Sequence, residues 1–282
     1  MEHNHQEIYL DLRKAVLAGG RAIMAVYDRD DFKVFTKEGN KVDSEKAKTE
    51  ISTKYKTEAD DASHKAIAQV MGEREYKNIP LIFEEADWKQ TTQRTYISFD
   101  EMDGTGRFIK RKPGFMVLSQ YVEDGIPFIS VNYDPKNDRL FYAIKGEGSF
   151  INNSQVNFSQ AKDIQNARII VNGRDKERTE NANYWKFMHN QFGERLSAGL
   201  ATGSRMAAIL EDKYDVFVNN GSEQLHMWDL GMVLNIIEAG GVVTRKDGSP
   251  IGFQKPGVID DIICSANPKL HEQIVRVVSQ YK

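Results

Sequence analysis

A chain of 282 residues that is 40% hydrophobic and 28% charged can bury a substantial core, in one large domain or two intimately joined lobes. Its formal net charge of −3 does not recommend a nucleic acid polymer as partner, and no run approaches the roughly 18–20 apolar residues of a membrane span. The lone Cys264 excludes an internal disulfide and, in the apolar run Ile262–Ser265, reads as a buried thiol of a reducing compartment rather than a nucleophile.

The polar start Met1–Gln6 lacks the apolar stretch of a signal peptide, so a cytoplasmic protein is expected, with His3 and His5 disordered. Ile8, Leu12, Val16, Ile23 and Val26 fall on one stripe and predict a helix over 6–27. Its Gly19-Gly20 step suits close packing, such as a dimer contact. Residues 36–56, rich in Lys, Glu, Ser and Thr, read as a mobile loop or ribbon. A second helix over 60–72 is opened by Asp60 or Asp61 and buries Ala62, Ala66, Ile67 and Val70. Ile79–Phe83 is a short strand that delivers Glu84 and Glu85, and Arg94–Phe99 a buried strand that runs into Asp100-Glu-Met-Asp-Gly-Thr105. Gly106–Arg111 opens a helix; Lys110-Arg111-Lys112 on it could draw in an anion or simply form a solvated face. Met116–Tyr121, Phe128–Tyr133 and Arg139–Ile144 form an antiparallel meander, which Ser149–Ile151 extends, with a hairpin turn at Gly146-Glu-Gly148. A strand over 168–172 and a helix over 178–192 follow. Then come a helix near 203–212, a strand at 215–218, a helix at 229–239, strands at 241–244 and 259–264, and a terminal helix at 268–280. The expected organisation is an α+β lobe over 1–155 with an antiparallel sheet and the metal site, completed by an α/β lobe over 156–282 in one compact unit.

The chemistry concentrates at Asp100–Thr105. Two carboxylates at a strand end can share hard cations, and a Gly-Thr step at a helix start can offer N–H groups to an anion. Metal with phosphate is the pairing that phosphoryl transfer requires. By itself Asp-x-x-Asp also describes a solvated turn. If the strand ending at Glu84 lies beside the Asp100 strand, Glu84, Asp100 and Asp103 meet in one crevice, and clustered carboxylates there share a proton or hold cations. Asp229 is placed either to N-cap its helix or to join that crevice. Asp60 is placed either to cap its helix or to meet the Thr105 hydroxyl.

Thr57-Glu-Ala-Asp60, Phe83-Glu-Glu-Ala86, Asp100–Thr105, Trp228-Asp229 and Glu238-Ala-Gly-Gly241, in that order, resemble the motifs of the inositol monophosphatase family. Tyr133-Asp-Pro135, Gly203-Ser204 and Ala266-Asn-Pro268 extend the likeness over nearly the whole chain. The resemblance implies a layered α-β-α-β-α sandwich of the sugar-phosphatase type, two or three Mg²⁺ ions, and inhibition by Li⁺. It implies metal ligation by Glu84, Asp100, the Met102 carbonyl, Asp103 and Asp229. Catalysis would fall to Glu84, Thr105 and Asp60, which orient and deprotonate a metal-activated water. Substrate would meet Asp103, Gly104, Thr105, Gly203, Ser204, Arg205 and Asp229. The implied activity is phosphomonoester hydrolysis of a small soluble substrate, inositol monophosphate by default, with a homodimer as a possible assembly.

The chain departs from the family pattern at several places. Glu101 stands for a proline, which is expected to loosen the loop and add charge beside the metals. Ala86 stands for a serine, and Lys54-Tyr-Lys56 follows a longer polar insertion. Arg205 follows Gly203-Ser204 where small residues are usual; it either meets a second anionic group or snorkels from a helix surface. Ser222 holds the slot of an inositol-contacting glutamate, with Glu223 one position off. A 3′(2′),5′-bisphosphate nucleotidase, a histidinol-phosphate or fructose-bisphosphate phosphatase, and a non-catalytic binding subunit are the alternatives. The histidines show no zinc spacing, and His226 reads as a loop residue.

Overall fold

The computed structural model describes residues 4–29, 31–49, 55–72, 79–86, 93–158, 162–172, 182–254 and 257–281. Helix α1 (His5–Tyr27) is opened by Asn4, whose side chain accepts the Glu7 N–H at 3.3 Å, and its stripe buries Ile8, Leu12, Val16, Ile23 and Val26. His5 is ordered as its first residue, stacked on Phe128 at 4.0 Å and bonded to Glu123 at 3.0 Å; His3 lies outside the described residues.

Residues 36–56 hold more structure than their composition suggests. β1 (Val34–Thr36) pairs antiparallel with both β2 (Lys41–Val42) and β3 (Tyr55–Thr57), a ribbon as expected, while α2 (Ser44–Thr49) replaces part of the expected loop. Val34, Ala47, Tyr55 and Ile109 pack into a small core of their own beneath it. Helix α3 (Glu58–Gly72) then packs on α1: Gly19 lies against Ser63 and Ile67, and Gly20 against the Tyr133 ring. The glycine pair therefore serves packing within the chain rather than a dimer contact.

The first large sheet has the order β10-β9-β8-β7-β6-β5-β4. Its strands are β4 (Leu81–Phe83), β5 (Tyr96–Asp103), β6 (Met116–Glu123), β7 (Ile126–Asp134), β8 (Arg139–Ile144), β9 (Gly148–Ile151) and β10 (Ser154–Val156). All neighbours are antiparallel except β4 and β5, which run parallel and so bring their C-terminal ends to one edge. The Gly146 and Gly148 N–H groups sit in the β8–β9 hairpin turn and donate to the Glu238 carboxylate at 3.0 and 3.1 Å.

After the short helix α4 (Thr105–Ile109) and this meander comes a second sheet of order β12-β11-β13-β15-β14. It comprises β11 (Ile169–Val171), β12 (Leu196–Ala198), β13 (Val216–His226), β14 (Val242–Thr244) and β15 (Val258–Ser265). It is parallel at β12-β11-β13 and antiparallel at β13-β15-β14. β12 is a strand beyond those expected, and β13 runs on to His226, past the end of the strand expected at 215–218. Four helices accompany the sheet: α5 (Ala182–Phe192), α6 (Thr202–Leu210), α7 (Val233–Glu238) and α8 (Pro268–Val278). Residues 178–181 of the helix expected over 178–192 lie outside the described residues. At α8 the Asn267 side chain accepts the Leu270 N–H at 2.9 Å and Pro268 supplies the first turn.

Three apolar clusters stack these elements into layers. α1 and α3 cover one face of the first sheet through Leu12, Ile23, Ile67, Val117 and Val131. Between the sheets lie α6 and α7, where Met206, Ile209, Val233 and Ile236 meet Leu118 and Phe141 on one side and Phe217, Ile262 and Cys264 on the other. α5 and α8 close the far face with Tyr184, Met188, Leu270 and Ile274 against Val171, Val216 and Ile263. The result is the expected α-β-α-β-α sandwich, and each fully buried large side chain contributes about 1.5–3 kcal/mol toward it. Cys264 is buried as expected, and that burial pushes its thiol pKa up. Among the described residues no helix is long and apolar enough to cross a membrane.

Candidate active site

Asp100 and Asp103 are three apart, and in a regular strand their side chains would face opposite sides of the sheet. The β5–β6 register prevents this. Asp100 pairs with Leu118 and Asp103 with Met116, so Glu101 and Met102 together oppose the single residue Val117. This bulge restores Asp103 to the face of Asp100 and sends Glu101 and Met102 to the other. The cores agree: Leu118 and Met116 join the inter-sheet cluster, whereas Met102 and Val117 join the α1–α3 side.

Asp229 reaches the same place from the second sheet. The helix expected over 229–239 is broken in two: a 3-10 turn over Met227–Leu230, then α7, which Gly240 closes at φ +92. Asp229 is therefore not the N-cap but the third residue of the turn, and its carboxylate accepts the His226 N–H at 2.6 Å. The turn is tied to the first sheet, where Gln120 Nε2 donates to the Met227 carbonyl at 2.5 Å and Asn132 Nδ2 to the Gly231 carbonyl at 3.1 Å. One carboxylate oxygen each from Asp100, Asp103 and Asp229 consequently lies within 4.8 Å of the others. Three hard oxygen donors gathered in this way suit a divalent cation. Burial, and after it the charges of Glu84, Asp103 and Asp229, holds the Asp100 carboxyl well above the usual carboxylate range. A cation in the crevice would reverse that.

Glu84 stands at the rim, at the parallel end of β4, outside the group of three. Its Oε1 meets Lys37 Nζ at 2.5 Å, and the same ammonium reaches Glu85 at 3.4 Å. Lys37, on the turn between β1 and β2, has no counterpart in the sequence reading, because nothing in a polar ribbon marks one lysine among several. The ion pairs raise its pKa against the effect of burial. Lys56 of the same ribbon bonds Asp61 at 3.0 Å and approaches Glu85 at 3.7 Å.

Glu101 does not loosen the loop, and its charge reaches Asp100 from behind the strand, as the last of those that raise the Asp100 carboxyl. Its side chain is fully buried on the opposite face, where it accepts the Glu84 N–H at 3.1 Å and meets His64 Nδ1 at 2.6 Å. The bond to Glu101, ahead of opposing burial, raises the His64 pKa.

Asp60 does not open its helix, which starts at Glu58 behind Thr57, but it does meet Thr105. From the first turn of α3 its Oδ2 reaches back to accept the N–H and hydroxyl of Thr57 at 2.6 and 2.7 Å, while Oδ1 accepts the Thr105 hydroxyl at 3.0 Å. Thr105 Oγ1 also lies 3.2 Å from the Met102 carbonyl. Burial, and next the Glu85 charge, raises the Asp60 carboxyl to about 8. Gly104 precedes α4 at φ +93, where a Cβ would come within 2.9 Å of both Ala201 Cβ and the Gly114 carbonyl. Gly203, at the start of α6, donates its N–H to Asp103 Oδ2 at 2.7 Å, and a Cβ there would press on Leu118 at 2.7 Å.

Ser204 is buried on the same helix. Arg205 does not snorkel: it is 3% exposed and donates to the carbonyls of Gly199 at 3.0 Å and Leu200 at 2.6 Å, and to Asn172 at 3.3 Å. Those bonds give its guanidinium a bracing role at the entry to α6. The Ser222 and Glu223 side chains lie outside the described residues. Arg111 is likewise engaged, donating to the Tyr27 carbonyl and, at 2.6 Å, to the Arg29 carbonyl, so it is not a solvated steering charge. His226 is not a loop residue. It ends β13 and stacks on Trp228 at 4.4 Å, and burial holds its imidazole below the usual range.

Residues 4–282 match the family model described as the inositol monophosphatase family. A relative from Aquifex aeolicus strain VF5, named fructose-1,6-bisphosphatase/inositol-1-monophosphatase, is 25% identical over 282 residues, covering 97% of this chain and 96% of the relative. Nus factor SuhB from Escherichia coli strain K12 is 28% identical over 211 residues, which is 73% of this chain and 77% of that protein. Among solved structures, the suhB extragenic suppressor protein of Bartonella henselae superposes with a TM-score of 0.79 at 21% identity, covering 98% of this chain and all of that one (100%). The inositol monophosphatase from Anabaena (Nostoc) sp. PCC 7120 gives 0.75 at 20% identity, with 99% and 97% covered. The two structures share the fold.

Proposed function

Because this chain belongs to the inositol monophosphatase family, whose members are metal-dependent phosphatases, we propose that it is a Mg²⁺-dependent phosphomonoesterase acting on a small soluble ester. Inositol monophosphate is its first candidate substrate. The observation that carries this reading is the convergence of Asp100, Asp103 and Asp229 oxygens within 4.8 Å.

Asp100, Asp103 and Asp229, with the Met102 carbonyl and with Glu84 from the rim, are the groups that would hold the ions. Divalent cations bound there supply charge neutralisation for the phosphoryl group and lower the pKa of water. The chain's own residues do the rest. The Thr105 hydroxyl, donating to Asp60 at 3.0 Å, keeps its lone pairs for a water proton and can pass its own proton to the Asp60 carboxylate, which burial leaves ionised only above about pH 8. Glu84 orients the same water from the rim. The Gly104 and Thr105 N–H groups steady the phosphate, with Gly203 and Ser204 lining the opposite wall. Arg205 would serve the substrate wall through the backbone at the entry to α6, which its guanidinium braces. Inhibition by Li⁺, a homodimer and a cytoplasmic location complete the proposal; the single buried Cys264 suits a reducing compartment.

Release of inorganic phosphate from inositol monophosphate, 3′-phosphoadenosine 5′-phosphate, histidinol phosphate and fructose 1,6-bisphosphate, with Mg²⁺ or with EDTA, tests the proposal. Fructose 1,6-bisphosphate is included because the Aquifex relative carries both names. Turnover of at least one ester that EDTA abolishes is expected. No release from any of them, or release indifferent to EDTA, overturns it.

A further inference from the structure

Glu101 belongs to the bulge that gathers the crevice, yet its side chain leaves the crevice and is fully buried. Desolvating a carboxylate is costly, so a buried one persists where donors claim its oxygens. Here Oε2 accepts the Glu84 N–H at 3.1 Å, while Oε1 accepts the Glu85 N–H at 3.4 Å and meets His64 Nδ1 at 2.6 Å. His64 is itself held, with its ring edge-on to Phe83 at 4.8 Å. Ser63, next to it on α3, donates to the Glu101 carbonyl at 2.8 Å. The Glu84 N–H is shared with the Phe99 carbonyl at 3.2 Å. Glu84 thus leaves the sheet under two acceptors, and Glu85 follows under the carboxylate.

We propose that Glu101, backed by His64, is a positioning residue for Glu84: its carboxylate fixes the backbone turn that presents the Glu84 side chain to the crevice. The inference rests on the reading of that crevice as a divalent-metal phosphatase site. Lys37 steadies the far end of the Glu84 side chain, and Glu101 steadies its root. Groups one step behind a metal ligand change metal affinity about 10–100-fold when removed, so the effect belongs to metal uptake before turnover.

Two substitutions separate this from a general packing role. Glu101→Leu keeps bulk and removes both acceptors, whereas Glu101→Gln keeps one carbonyl oxygen for the turn. Calorimetric Mn²⁺ binding is expected to weaken at least about tenfold in Glu101→Leu and to recover most of that loss in Glu101→Gln. The Mg²⁺ concentration for half-maximal turnover should rise in parallel, with kcat at saturating Mg²⁺ moving less. Amide exchange at Glu84 and Glu85 in metal-free protein should accelerate in Glu101→Leu. A folded Glu101→Leu protein with wild-type Mn²⁺ affinity and wild-type exchange overturns the proposal. Should that variant not fold, His64→Phe keeps the aromatic contact with Phe83 and removes the bond to Glu101. Unchanged affinity and exchange in His64→Phe overturn the proposal equally. If the wild-type protein takes up no Mn²⁺ and releases no phosphate, the phosphatase reading fails instead. Exchange then decides alone: protected Glu84 and Glu85 amides that lose protection in the variant uphold the positioning role, and unprotected wild-type amides refute it.

Discussion

Asp100 and Asp215 are almost equally hidden, at 1% and 2% exposed, yet their surroundings drive their carboxyls in opposite directions. Asp100 faces Glu84, Asp103 and Asp229, and burial together with those charges raises its pKa. Asp215 stands just before β13, at a corner of the second sheet that carries its own cations. It accepts Arg168 Nε at 2.9 Å and Lys162 Nζ at 2.8 Å, and these bonds outweigh burial and lower its pKa. One region is neutralised by the chain itself, and the other is left short of positive charge by design of its strands. Such a deficit is relieved either by protonation or by a bound cation, and the convergence of three carboxylate oxygens within 4.8 Å is the physical basis for reading the crevice as a cation site.

The comparison breaks most visibly at Asp100. Asp100→Asn should lower phosphate release by more than about a hundredfold, beyond what loss of a supporting partner does. The same change should raise the melting temperature in EDTA, because it removes a repelling charge. A variant that stays active, or that melts lower than wild type without metal, would erase the contrast.

Metal and pH sharpen the comparison next. Asp60 has a folded pKa of about 8 against an ordinary 3.8, so the metal-free fold holds a proton that the unfolded chain releases. Stability from that proton is present at low pH and is lost as pH rises through about 4 to 8. A bound cation displaces protons from the crevice, so the melting-temperature difference between Mg²⁺ and EDTA should widen across that window. At a hundredfold excess over Kd the stabilisation reaches about 2.7 kcal/mol. A difference independent of pH would contradict the charge deficit.

The self-neutralised corner gives a smaller and separate effect. Asp215→Asn leaves Arg168 and Lys162 facing a neutral group and should cost about 2 kcal/mol in urea unfolding, with turnover retained below the melting transition. Smallest is the effect of His271, which is kept neutral by burial between Thr244 Oγ1 at 2.8 Å and Ser265 Oγ at 3.0 Å. Its folded pKa is depressed, so its contribution is present above the unfolded value and is lost as pH falls through the folded one. His271→Gln should flatten the acid limb of the stability curve measured with Mg²⁺ present.

What could be read from the chain divides along the same physical line. The helices at 6–27, 60–72 and 268–280 declare themselves through local periodicity and caps, and the meander through alternation and turns. The order of acidic residues points to a crevice because β4 and β5, adjacent in sequence, are also adjacent in the sheet. The failures are non-local. Whether Asp103 shares a face with Asp100 depends on β6, and the break at Gly231 depends on Asn132 and Ser130 across the sheet. The direction of Glu101 depends on His64 37 positions earlier. Lys37 becomes meaningful only when the ribbon folds over Glu84.

The extra residue in β5 turns spacing into a requirement of register rather than of composition. Losing the bulge while keeping both residues, so that β5 paired one-to-one with β6, would rotate everything beyond Glu101 to the other face of the pleat. Asp103 would then look toward α3, and the Gly-Thr step behind it would lose its aim. A deletion of one residue there would instead leave Asp103 two positions from Asp100 and on the same face. Register therefore outranks the residue count, a rule a reader of variants can apply without knowing the substrate.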